Sequence, residues 1–156
     1  MRYSLSAVAR KNGYRSGLEH STAEYLKAAN VVFLYESMKI EWEDLAYRTY
    51  TPDFILPNGI IVETKGLFTA ADRRKHRCIK KQHPLLDIRF IFANSKSKIR
   101  KGAKSSYGDW CYRYGFSYAT KTIPETWLAE KGKNKHPKFV SFSKKKRSKY
   151  ARDTGT

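Results

Sequence analysis

The chain has 156 residues, with 32 Lys+Arg against 14 Asp+Glu and a formal net charge of +18. The length suits one domain, and a hydrophobic content of 40% with 11 Tyr, 8 Phe and 3 Trp is enough for a real core. No apolar run is long enough to span a membrane, and two cysteines, Cys78 and Cys111, cannot make a disulfide framework. A compact chain this basic repels itself, and a polyanion relieves that repulsion. Nucleic acid is the leading partner, through neutralised phosphates and released counterions. The first ten residues lack the apolar centre of a signal peptide, so the chain reads as intracellular.

Residues 1–15 hold Arg2, Arg10, Lys11 and Arg15 and no acid, which predicts a flexible basic arm. Ser16-Gly17-Leu18-Glu19 has the spacing of a capping box, and Leu18, Thr22, Tyr25, Leu26 and Ala29 recur at helical intervals. A helix over 17–29 follows, stopped at Asn30. Val31–Tyr35 is rich in β-formers, and Met38, Ile40 and Trp42 alternate with Lys39 and Glu41 as in a half-buried strand. Glu43–Thr49 is more polar and reads as a connector or extended bridge.

Tyr50 to Gly66 is the organising stretch. Two apolar runs flank Pro57-Asn58-Gly59, a hairpin signal in which Asn-Gly tolerates positive φ. Residues two apart share a strand face, so Glu63 and Lys65 point the same way and the hairpin folds Asp53 beside them. Charges against an apolar core need partners. A divalent cation is one solution, since Mg²⁺ takes one or two carboxylates plus water and phosphate. A plain cross-strand ion pair is the other.

Gly66 breaks the strand. Thr69 caps a helix, with Asp72 three residues on, that runs to about Gln82 before His83-Pro84; its exposed face carries Arg73, Arg74, Lys75, Arg77, Lys80 and Lys81. His76 and His83 read as helix-surface or loop groups. Asp87–Ala93 is apolar on both faces, as in a central strand. A loop over 94–106 follows with Lys96, Lys98, Arg100, Lys101 and Lys104, then a short helix Tyr107–Tyr114 ended by Gly115. Phe116–Tyr118 reads as a strand, and Pro124 as the first residue of a helix over 124–130. Both cysteines fall in helices and read as small packing groups. Residues 131–156, with Lys144-Lys145-Lys146-Arg147, read as a disordered basic tail. No internal repeat is present. The folded part is therefore residues 16–130, a mixed central sheet flanked by helices in an α/β (α+β) architecture.

Pro52-Asp53 followed by Glu63-Thr64-Lys65 resembles the signature of the restriction-endonuclease-like nucleases. Arg15–Glu19, Tyr50–Phe54, Leu56–Ile60, Val62–Leu67, Gln82–Pro84 and Ser106–Gly108 occur in one order over about residues 13–130. That collinear set resembles the phage endonuclease I family, the Holliday-junction-resolving enzymes of T-odd bacteriophages. The resemblance implies a metal-dependent endodeoxyribonuclease that cuts branched DNA by paired hydrolysis, in the host cytoplasm if phage-encoded. It implies that Asp53, Glu63 and the Thr64 carbonyl hold one Mg²⁺, that Glu19 helps hold a second, and that Mn²⁺ substitutes. Lys65 then positions or activates water, or stabilises charge on the phosphate. It also implies a domain-swapped homodimer with composite active sites, bridged by the segment before Tyr50. Arg10, Lys11, Arg15, Arg73, Arg74, Lys75, His83, Lys96, Lys98 and Lys101 are candidate DNA contacts, against the alternative of a solvated basic face. On local evidence the cap alone explains Glu19. The competing functions are a non-catalytic nucleic-acid-binding module and a nuclease specific for duplex sequence or mismatch.

Overall fold

The structure, a computed structural model, describes residues 9–10, 12–43, 47–131 and 139–140. Five strands form the central sheet: β1 (Leu34–Tyr35), β4 (Phe54–Ile55), β5 (Ile61–Lys65), β6 (Ile88–Phe92) and β7 (Tyr118–Thr120), side by side in that order. The first two pairings are antiparallel and the last two parallel, so the sheet is mixed as expected. A smaller sheet has β2 (Lys39–Glu43) at its centre, between β3 (Tyr47–Tyr50) and β8 (Phe139–Val140).

All five residues of β6 are buried, which fits a strand with neighbours on both edges and side chains packed on both faces. Ile88, Phe90 and Phe92 join one core with Phe68, Ile79, Trp110 and Cys111; Ile91 joins the other with Leu26, Phe54, Val62 and Trp127. Helices therefore cover both faces. α1 (Gly17–Ala28) and α4 (Glu125–Ala129) lie on one, and α2 (Ala70–Gln82) and α3 (Tyr107–Tyr114) on the other. The Phe68 ring meets Trp110 edge-on at 4.9 Å and Phe90 at 5.0 Å. Each such fully buried aromatic contributes about 1.5–3 kcal/mol by transfer from water. Both cysteines lie in helices as expected, free and packing, and burial pushes the Cys111 thiol up to about 12. Among the described residues no helix is long and apolar enough to cross a membrane.

Several details differ from the sequence reading. The turn is Pro57-Asn58-Gly59 as expected, but of the Asn-Gly pair only the glycine takes positive φ, +89°. Gly59 N–H donates to Leu56 O (2.9 Å) and Leu56 N–H to Ile60 O (2.9 Å). This is a three-residue loop closed by glycine. Asn58 serves as a tether instead, its Nδ2 donating to the Trp127 carbonyl at 2.6 Å. The polar stretch 43–49, expected as a connector or extended bridge, contains β3, which folds back on β2 with Ile40 opposite Tyr50. The strand expected at Phe116–Tyr118 starts two residues later because Phe116 is drawn into the core. Pro124 is the N-cap rather than the first helical residue. Within the expected flexible arm, Ala9 and Tyr14 are buried in the second core. Within the expected disordered tail, Phe139–Val140 pairs with β2. The rest of the tail beyond 131, residues 1–8 and Lys11 lie outside the described residues.

Candidate active site

The antiparallel register Phe54↔Val62 and Ile55↔Ile61, continued by one residue, sets Asp53 opposite Glu63. Lys65 follows on the same face. The three meet, as the hairpin reading expected, in a cavity of about 400 Å³ lined also by Arg15, Glu19, Thr49, Tyr50, Thr51, Thr64 and Lys75. Asp53 and Glu63 are each only 4% exposed, so both carboxylates are held out of water.

Each carboxylate is pinned by one oxygen. Asp53 Oδ2 accepts from the Thr64 amide and from Thr64 Oγ1, both at 2.8 Å. Asp53 Oδ1 has Arg15 Nη2 at 3.9 Å. Glu63 Oε2 accepts from the buried Tyr50 hydroxyl at 2.5 Å, while Oε1 faces Lys65 Nζ at 3.3 Å. Burial, with the Glu63 charge adding to it, pushes Asp53 up to about 8 despite the Thr64 bonds. Burial and then Glu63 hold the Tyr50 phenol well above its usual range, as a donor. Burial works against the Lys65 ammonium, but Glu63 and Asp72 outweigh it and hold its pKa above the usual value.

A small hard cation fits this donor set. Two buried carboxylates on neighbouring strands, anchored through one oxygen each, present oxygen ligands in a pocket wide enough for water and phosphate. Burial first, and the charge of Glu63 opposite it second, raise the pKa of Asp53, and a divalent ion between the two carboxylates would offset both. Among the described residues, no three His, Cys, Asp or Glu side chains gather into a metal-holding group. Glu19 therefore lines the same cavity without joining Asp53 and Glu63 in one ligand set.

Glu19 departs from the capping-box reading in half. Ser16 Oγ does accept from the Glu19 amide at 3.1 Å. The Glu19 carboxylate, however, reaches past Ser16: its Oε2 accepts from the Arg15 amide at 2.8 Å and from Tyr35 Oη at 2.6 Å. Helix-start and pocket roles are thus met by one side chain aimed off the helix. The expected box does form at α2, where Thr69 and Asp72 bond each other's backbones.

The basic residues divide. Arg15 and Lys75 rim the cavity, and Lys75 Nζ sits 4.9 Å over the Tyr50 ring. Arg74 joins Arg48, Asp72 and Lys75 around an adjoining cavity of about 360 Å³. Arg10, Lys96, Lys98 and Lys101 are exposed. Arg73 is turned inward instead, donating to the Phe68 carbonyl at 2.6 Å and the Ile99 carbonyl at 3.1 Å. His83 meets the Glu41 carbonyl, and Gln82 beside it bonds both the amide and the carbonyl of Glu43, so this end of α2 grips β2. His76 is not on the helix surface. It is fully buried, its rings packed edge-on against Tyr50 and Phe90, with Nε2 3.9 Å from Glu63 Oε1. Burial, and then Lys75 and Lys65, push it well below the usual range and keep it neutral.

Sequence reasoning missed Tyr50, His76 and Asp72 as parts of this site. Tyr50 carried a signal, since it lies three residues before Asp53, which is set opposite Glu63. His76 did not, because its neighbours in sequence are Lys75 and Arg77.

The family described as phage endonuclease I matches residues 1–149 of this chain. The chain is 42% identical over 146 residues to "Endonuclease I" of Escherichia phage T7, covering 93% of this chain and 95% of that protein. It is 44% identical over 134 residues to "Endodeoxyribonuclease 1" of Enterobacteria phage T3, covering 85% and 87%.

Proposed function

Because this chain belongs to the phage endonuclease I family, we propose that it is a divalent-metal-dependent endodeoxyribonuclease that resolves four-way and other branched DNA junctions. The observation that carries this reading is the meeting of Asp53, Glu63 and Lys65 in one cationic-rimmed cavity. Mg²⁺ or Mn²⁺ held by Asp53, Glu63 and the Thr64 carbonyl, with Glu19 helping to hold a second ion, would supply a Lewis acid and lower the pKa of bound water. The chain's own groups do the rest. Thr64 and Tyr50 fix one oxygen of each carboxylate and so preset the other. Lys65, with two carboxylates on it, stays an ammonium, which favours stabilising the charge that grows on the attacked phosphate over acting as a base. Arg15 and Lys75 at the rim suit the flanking phosphates.

The homodimer belongs to the same proposal. α1 delivers Glu19 to the cavity of its own chain here. Opening the β2–β3 fold between Glu43 and Tyr47 would carry α1 to a second copy, the exchange expected of a domain swap. If phage-encoded like the relatives it resembles, the enzyme would then work in the host cytoplasm. The test incubates purified protein with an immobile four-way junction and with a linear duplex of the same sequence, in Mg²⁺ and in EDTA. Paired nicks flanking the branch, dependent on Mg²⁺ and absent in Glu63→Ala, are expected. No cleavage, or cleavage that survives Glu63→Ala, would overturn the reading and leave a basic DNA-binding protein. Light scattering at twice the chain mass checks the dimer.

A further inference from the structure

We propose that Asp72 is a positioning residue that holds the Lys65 ammonium in the active-site cavity. The inference rests on the nuclease reading above but concerns a residue which that reading does not use. Lysine has a four-carbon stem with many rotamers, and a lysine that stabilises a transition state has to be held still. Glu63 alone cannot do this, because the oxygen nearest Lys65, Oε1, is also the one not taken by Tyr50 and so the one offered to a cation. Asp72 can. Its Oδ1 lies 3.1 Å from Lys65 Nζ.

The anchor is itself rigid. Asp72 is the third residue of α2, and its other oxygen, Oδ2, accepts from the Thr69 amide at 3.1 Å and from Thr69 Oγ1 at 3.0 Å. The Thr69 hydroxyl in turn accepts from the Asp72 amide at 3.1 Å. One carboxylate therefore closes the helix cap with one oxygen and clamps the lysine with the other. Lys75 Nζ, 3.8 Å from the same Oδ1, adds a weaker second cation. Burial opposes the charge on Asp72, but Lys65 and the Thr69 bonds outweigh it and keep the carboxylate ionised.

A structural role alone predicts lost stability; a positioning role predicts lost turnover that depends on Lys65. The experiment measures single-turnover junction cleavage at saturating Mg²⁺ for wild type, Asp72→Asn, Asp72→Glu, Lys65→Met and the Lys65→Met/Asp72→Asn double variant. Asn keeps an oxygen for the cap but loses the charge, so its melting temperature is expected within about 3 °C of wild type. Its cleavage rate is expected to fall about tenfold or more, the effect of about 1.4 kcal/mol in the transition state. Its junction affinity in EDTA is expected to match wild type. Asp72→Glu, which keeps charge and cap, is expected to recover most of the rate. The double variant is expected to be no slower than Lys65→Met, because the two residues act through one group. A wild-type rate in Asp72→Asn, or a loss that multiplies onto that of Lys65→Met, would overturn the inference. A wild-type rate in Lys65→Met would instead strike the catalytic reading itself, so the two failures are told apart.

Discussion

Asp53→Asn is expected to stabilise the metal-free protein at pH 8 while abolishing its activity. Asp53 is buried opposite Glu63, and its pKa rises from 3.8 to about 8. A raised folded pKa means that the folded chain holds the proton more tightly than the unfolded chain. The stability this gives is complete below about pH 4 and is lost as pH climbs to about 8. A shift of about four units corresponds to a ceiling of about 6 kcal/mol. The cavity is open to water and Arg15 stands 3.9 Å away, so relaxation leaves an order of 2–3 kcal/mol. For a chain of this size that is about 5–10 °C in melting temperature. The assay is thermal unfolding in EDTA from pH 5 to 8.5 for wild type and Asp53→Asn, reported as the difference between them. His76 moves the opposite way, since a neutral buried imidazole loses stability as pH falls below 6.5, and it cancels in the difference. The Asn side chain keeps an oxygen for Thr64, so the bonds at 2.8 Å survive. The difference should grow from about 0.3 of its full value at pH 5 to nearly all of it at pH 8 and vanish when Mg²⁺ is added to wild type. A difference that is flat with pH, or a variant less stable than wild type at pH 8, would refute the argument.

Tyr50→Phe removes a hydrogen bond to a buried charge, worth about 1.5–3 kcal/mol, and should raise the Mg²⁺ concentration for half-maximal cleavage by about tenfold or more. A metal titration of the cleavage rate checks it, and an unchanged midpoint would count against Tyr50 as the anchor of Glu63. Lys65→Ala should lower the rate by about 10²–10³ with junction binding in EDTA retained, read by single-turnover kinetics beside a gel-shift assay. Gly59→Ala places a Cβ at φ +89° and should cost about 1–2 kcal/mol, seen as a drop of a few degrees in melting temperature with the Mg²⁺ midpoint unmoved.

The hairpin was legible because its signals are local. Alternation fixed which residues share a face, and Pro57-Asn58-Gly59 marked the reversal and is the loop itself. The helix starting after Thr69 and the double-faced strand at Ile88–Phe92 were legible for the same reason, since cap spacing and apolar runs are written in adjacent residues. What sequence could not supply is partnership across distance. His76 has charged neighbours in sequence, and only packing of α2 on the sheet shows that its ring is buried between Tyr50 and Phe90. Glu19 reads as a cap because Ser16 lies three residues before it. Its actual partner Tyr35 is sixteen residues on, set in place by β1. Arg73 reads as part of a basic stripe, yet its guanidinium closes the backbone around Phe68. β8 was hidden in a run whose overall charge outweighs its two apolar residues.

Calorimetric titration of Mn²⁺ into the DNA-free protein most directly tests whether these oxygens gather a cation. Saturable binding to wild type is expected, lost in an Asp53→Asn/Glu63→Gln double variant that still binds a junction in EDTA. Equal Mn²⁺ binding by the double variant would mean that the ion sits elsewhere and would contradict the account.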